Sequence, residues 1–154
     1  MSDPGAILSA MPYAVQITVD CADPATMAEF WAAALGYVLD PPPKGFSSWP
    51  EALTAWNVPE SDWGKASAVV DPTGAGPRLF FQRVPEAKVV KNRVHLDVKA
   101  SAGPGTPMDA RRAAVATVTD LLVDRGATLL THVEELGIYW AVLKDPEGNE
   151  FCVS

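Results

Sequence analysis

At 154 residues, with 48% hydrophobic and 20% charged side chains, the sequence has the size and composition of one globular domain with a sizeable core. Its formal net charge of −7 excludes a nucleic-acid surface, which needs clustered Lys and Arg. Cys21 and Cys152 form no CxxC pair, Asp3 replaces the positive start of a secretion signal, and no window reaches about 18 apolar residues; a cytoplasmic chain without a membrane span is expected.

Residues 1–12 read as a loose N-terminal tail broken by Pro4, Gly5 and Pro12. Tyr13 to Asp20 then alternates, with Val15, Ile17 and Val19 on one face, the period of a half-buried strand. A helix follows: Asp23 suits its N-cap and Pro24 its first turn. Met27, Phe30, Trp31, Ala34 and Leu35 form one apolar stripe, and Gly36 suits the left-handed stop. From Pro41 to Asp62 the chain reads as a long irregular loop rich in proline and tryptophan. Strands are expected at Ala66–Val70 and Arg78–Val84.

After Pro85 the order of elements starts again. Asn92 to Val98 alternates, with Val94, Leu96 and Val98 opposite Arg93, His95 and Asp97. A Gly/Pro/Ser-rich linker at 99–108 leads to a helix over Asp109–Arg125, with Ala114, Val118, Leu121 and Leu122 on its stripe and Gly126 closing it. Strands at Ala127–His132, Ile138–Lys144 and Glu150–Val153 complete the chain. The same turn, Asp-Pro-x-Gly, stands at 71–74 and 145–148, in equivalent places of the two halves. The expected fold is therefore α+β: two βαβββ modules, about 13–85 and 92–154, forming a cupped mixed sheet with helices outside. Together they make one domain over 13–154, with a cleft between the modules.

These elements, carried by ITVDCADPATMAEFWAAALGY at 17–37, KNRVHLDV at 91–98 and VLKDPEGNEFCV at 142–153, resemble the vicinal-oxygen-chelate superfamily. Within it the chain is similar to glyoxalase-like and bleomycin-resistance domains. The resemblance implies the glyoxalase/bleomycin resistance/dioxygenase fold, a small-molecule ligand and pairing into a homodimer. In metal-dependent members four side chains hold one divalent cation: His or Gln from the first strand of each module, Glu from each last strand. The first-strand positions fall here on Gln16 and His95, implying a possible Zn, Ni, Fe or Mn site. The last-strand positions fall on Cys152 and on Phe80 or Gln82, where no carboxylate stands. True glyoxalase I chemistry, which needs a carboxylate base, is therefore not expected.

Each candidate has two readings. His95 is a metal ligand or general base, or else a strand histidine bonded to Asp97 or Arg93. Cys152 is a thiolate ligand, or else a small buried hydrophobe. Gln16 orients a ligand through its amide, or else satisfies buried backbone. Trp49, Trp56, Trp63 and Trp140 line an apolar pocket, or else pack the core; Trp140, on a strand, is the preferred cleft residue, with Trp56 beside it. Two functions follow: a small-molecule-binding domain with metal-assisted lyase, isomerase or dioxygenase-like chemistry, or a non-catalytic, metal-free protein that sequesters its ligand. An interaction module with its cleft filled by its own side chains is a third.

Overall fold

A computed structural model describes residues 13–154; the expected tail at 1–12 lies outside the described residues. Eight strands and three α-helices follow in order: β1 (Gln16–Cys21), α1 (Pro24–Leu35), β2 (Val38–Leu39), α2 (Trp49–Ala55), β3 (Ala66–Val70), β4 (Arg78–Arg83), β5 (Asp97–Val98), α3 (Met108–Val123), β6 (Thr128–Glu135), β7 (Ile138–Lys144) and β8 (Glu150–Val153). A 3-10 helix, Glu60–Lys65, joins α2 to β3.

The strands form two four-stranded mixed sheets with orders β1-β4-β3-β2 and β5-β8-β7-β6. In each, the first strand runs parallel to the last and the remaining pairs are antiparallel. This is βαβββ twice, as the repeated turn predicts. Both turns close alike. The Asp71 carboxylate accepts from the Thr73 and Gly76 backbone, and that of Asp145 from the Glu147 and Asn149 backbone. Gly74 N–H and Gly148 N–H each donate to the carbonyl of their Asp.

Helix α1 forms where its punctuation says. Asp23 accepts from Thr26 N–H, Pro24 sits in the first turn, and Gly36 ends the helix at φ 67°. Met27, Phe30, Trp31 and Ala34 are buried, and the helix packs on β3 and β4 of the first sheet and reaches α3 of the second module. Phe30 and Trp31 pack edge-on against Phe151 of β8, with ring centroids 5.8 and 5.1 Å away. The Trp31 indole N–H points to buried Asp145 at 3.4 Å. The Glu147 carboxylate accepts the backbone N–H groups of Ala22 and Asp23 at 2.7–2.9 Å, just ahead of α1. One core therefore spans both modules.

Several expected boundaries move. The strand expected over Asn92–Val98 shortens to Asp97–Val98, because Asn92 takes over the pairing with its side chain. Its amide donates to the carbonyls of Val94 and Glu150 and accepts from Glu150 N–H. Val94 is left exposed. The first strand starts at Gln16 rather than Tyr13, since β4 offers a partner only from Arg78, and Val15 is exposed. Strand β6 runs on to Glu135. On α3 the buried stripe is Val115, Thr119 and Leu122, and Leu121 faces out. The proline-rich loop holds α2, whose Ser48 caps Glu51 N–H while the Glu51 carboxylate accepts from Ser47 N–H, a reciprocal arrangement that tolerates Pro50 in the first turn.

Candidate functional site

The side chains of β4 alternate: Leu79 and Phe81 are buried in the core, while Arg78, Phe80 and Gln82 take the opposite face. β1 places Gln16, Thr18 and Asp20 directly beside them. On this face the first module opens a hollow of about 330 Å³, walled by Leu39, Trp49, Leu53, Trp63 and Phe80. Both indoles are anchored. Trp49 N–H donates to the Asp40 carbonyl at 2.7 Å and Trp63 N–H to the Val58 carbonyl at 3.0 Å, so the ring surfaces have fixed orientations.

Arg78 and Asp40 supply the polar part of this hollow. The guanidinium gives two hydrogen bonds to Asp40 Oδ2, at 2.9 and 2.7 Å, and a third to Gln16 Oε1 at 2.6 Å. It also lies over the Phe80 ring, 5.2 Å from its centroid. Asp62, also at the hollow, pairs with Lys65 at 2.7 Å. The walls are thus mostly apolar, with charges that are already matched.

The second module carries a hollow of about 300 Å³ lined by His95, Asp97, Lys99, Ile138, Trp140, Cys152 and Ser154. Asp97 and Cys152 are register partners on parallel strands, and His95 lies two residues ahead of Asp97. Their donor atoms all fall within 4.8 Å of one another, the one such group of three His, Cys or carboxylate side chains among the described residues. His95 Nε2 is 3.5 Å from Asp97 Oδ1, and both side chains are about half exposed, at 53% and 48%. The Cys152 thiol is pushed up, first by burial and then by the neighbouring Asp97 carboxylate. Cys21, in the core, is pushed up to about 11, mainly by burial.

The predicted residues are therefore distributed rather than gathered. His95, Trp140 and Cys152 share the second-module hollow, and Phe80 lines the first. Gln16 lines a third hollow, about 610 Å³, along Tyr13–Gln16 and Gly74–Arg78. Gln82 is exposed and donates to Asp20 at 2.7 Å. Trp56 is half exposed and rests edge-on against Trp49 and Phe46.

A glyoxalase-like domain model matches residues 16–154. The chain belongs to the glyoxalase-like domain family. Its fold is shared by solved structures of low sequence identity. A glyoxalase/bleomycin resistance protein/dioxygenase family enzyme from Burkholderia phytofirmans PsJN is 16% identical, with a TM-score of 0.58 over 90% of this chain and 94% of that one. The fosfomycin resistance protein FosX from Listeria monocytogenes is 8% identical, with a TM-score of 0.60 over 94% of this chain and 93% of that one. A variant of the Listeria protein, complexed with Mn(II) and 1S,2S-dihydroxypropylphosphonic acid, is 10% identical with a TM-score of 0.59 over 94% and 90%. No curated protein matches the chain in sequence.

Against this glyoxalase-like frame, the first-module half of the implied metal set stands out. Gln16 has its amide oxygen on a guanidinium, and a fixed positive charge 2.6 Å away opposes a second cation there. Phe80 and Gln82 offer no carboxylate. In the second module the three donors include Asp97, which sequence reasoning assigned only as a partner for His95. The His-x-Asp spacing, on the strand face opposite Leu96 and Val98, is the signal that could have found it. Asp40, Arg78, Leu39 and Leu53 were not anticipated; the Ser-x-x-Glu capping pattern at 48–51 was the available hint that the loop is built to hold Trp49.

Proposed function

We propose that this glyoxalase-like chain binds a small, apolar, ring-bearing organic molecule in the first-module hollow and sequesters it without chemistry. The observation that carries this reading is the hollow itself: about 330 Å³, with two anchored indoles and a phenyl ring around a matched Arg78–Asp40 pair. Small-molecule sites are largely apolar, preformed concavities with a few polar groups that orient the ligand, at roughly 300–1,000 Å³. Its two carboxylates, Asp40 and Asp62, are both ion-paired, which favours binding over proton transfer. Pre-oriented rings also lose little side-chain freedom when a ligand arrives.

Tryptophan emission, titrated with a panel of aromatic and polycyclic organic molecules, tests this. Saturable quenching by at least one compound, weakened at least about tenfold in Trp63→Ala, is expected for a residue of this contact size. Uniformly flat titrations across the panel would count against sequestration. The hemithioacetal of methylglyoxal with glutathione or mycothiol should show no appreciable turnover, and a clear rate would overturn the non-catalytic reading. By analogy with the paired members of the superfamily, we take the working form to be a cytoplasmic homodimer, which sedimentation would check.

A second reading is favoured by one observation, the His95, Asp97 and Cys152 cluster. Here the chain takes a divalent cation, Zn, Ni, Fe or Mn, as a FosX variant takes Mn(II). A bound cation would supply Lewis acidity. His95 and Asp97 would hold it, Trp140 would wall the substrate side, and His95 would lose its freedom to act as a base.

A further inference from the structure

We propose that the ligand of the first-module hollow is uncharged and planar, and that its one polar edge sets a hydrogen-bond donor beside an acceptor, as a ring lactam does. This inference rests on the sequestration reading above and deepens it by naming the ligand's chemistry.

The way Arg78 meets Asp40 points to that edge. A guanidinium and a carboxylate often meet fork to fork, with one bond to each oxygen. Here Nε and Nη2 both donate to Asp40 Oδ2, at 2.9 and 2.7 Å. Asp40 Oδ1 accepts from no side chain or N–H among the described residues. It is not sealed away either, because the one buried side-chain polar atom left without a partner among them is Thr119 Oγ1. Nη1 donates to Gln16 Oε1 at 2.6 Å, so one N–H on each terminal nitrogen of Arg78 is left over. Both residues line the hollow, which therefore presents an acceptor and donors on neighbouring groups.

These groups are held in place. The Asp40 carbonyl takes the Trp49 indole N–H at 2.7 Å, and the guanidinium lies over the Phe80 ring. Trp49, Trp63 and Phe80 supply the surfaces against which a flat ring packs. Charge then separates the ligand classes. Arg78 is matched by Asp40, and Asp62 by Lys65. An anion or a cation would give up its hydration here without meeting an unmatched counter-charge. A ring with no polar edge would cover Asp40 Oδ1 and the spare N–H groups and leave them unpaired. A lactam satisfies both sides: its carbonyl accepts from Arg78 and its N–H donates to Asp40 Oδ1.

Bicyclic probes of similar shape test this, with the indole N–H signals of Trp49 and Trp63 as the readout. They are the lactam carbostyril, N-methylcarbostyril, quinoline, naphthoate and N-methylquinolinium. Carbostyril should bind at least about tenfold tighter than each of the others, the size of one hydrogen bond to a charged group. Asp40→Asn turns the open acceptor into an amide donor and leaves Arg78 unmatched. It should weaken carbostyril at least about tenfold and tighten naphthoate, with an unmoved Trp31 signal showing that the fold is kept. Should that variant not fold, the comparison of carbostyril with N-methylcarbostyril decides in the unaltered protein. Any other probe binding at Trp49 and Trp63 as tightly as carbostyril would overturn the donor–acceptor assignment and leave sequestration in the hollow standing. So would carbostyril binding unweakened in a folded Asp40→Asn. No shift at either indole with any probe would overturn both.

Discussion

Leu136 shows how one residue can stand against its own backbone. It sits with Gly137 in the two-residue turn between β6 and β7, at φ 50° and 93% exposed. Such turns need positive φ at both central positions, which asparagine or glycine adopts and leucine resists. Leu136→Asn should therefore raise stability by about 1 kcal/mol, read as a higher urea midpoint with unchanged slope. The two thiols differ for an equally local reason. Cys21 is 3% exposed with its ionisation pushed up to about 11, so it should resist alkylation at pH 8 until the protein unfolds. Alkylation of Cys21 at the native-state rate of an exposed thiol would show that the core is open. At this scale the sequence was only partly legible. The alternation of 92–98 puts His95 on a polar face and the resemblance puts it in one ligand set with Cys152, but Arg78 reads as an ordinary strand charge until Asp40, distant in sequence, closes on it.

Among elements, the ones with local punctuation were legible. The expected bounds of the strands at Ala66–Val70, Ile138–Lys144 and Glu150–Val153 agree with the structure, and α1 carries its own cap, stripe and stop. Where pairing is decided by a distant partner, legibility failed: β5 is short because Asn92 replaces the ladder, and β1 begins where β4 begins. Helix α2 was hidden by the surrounding prolines and by Pro50, which its first turn accommodates. The joint between modules rests on Glu147, a residue in the turn before β8 whose carboxylate satisfies two free N–H groups ahead of α1. Glu147→Ala should cost about 1–3 kcal/mol in urea unfolding, since it unpairs donors from a charged acceptor. An unchanged midpoint would remove this clamp from the account.

The whole molecule is acidic, and several of its carboxylates are held below their ordinary values by hydrogen bonds. Asp23 is lowered chiefly by the Thr26 hydroxyl and N–H, Asp71 by the Thr73 N–H and hydroxyl. A depressed folded-state value means stability that is fully present above the unfolded value near 4 and is lost as pH falls through the lower folded-state values. The urea midpoint should therefore hold from pH 7 to about pH 5 and drop below about pH 4. A midpoint that rises on acidification would contradict that sign. Duplication explains the wider plan: each module alone leaves a sheet face bare, and α1 joins them by packing its aromatic residues on β8. The two modules differ in what they offer, rings and a matched ion pair in the first, a His/Asp/Cys cluster in the second.

That division makes the ligand's location the decisive quantity. The five tryptophans sit in different surroundings, and each gives one indole N–H signal in a nitrogen–proton correlation spectrum. With a quenching ligand added, the signals of Trp49 and Trp63 should shift in step with the titration, while that of Trp31, buried against Phe151 and Asp145, should stay in place. Shifts confined to Trp140, or none at Trp49 and Trp63, would contradict binding in the first module.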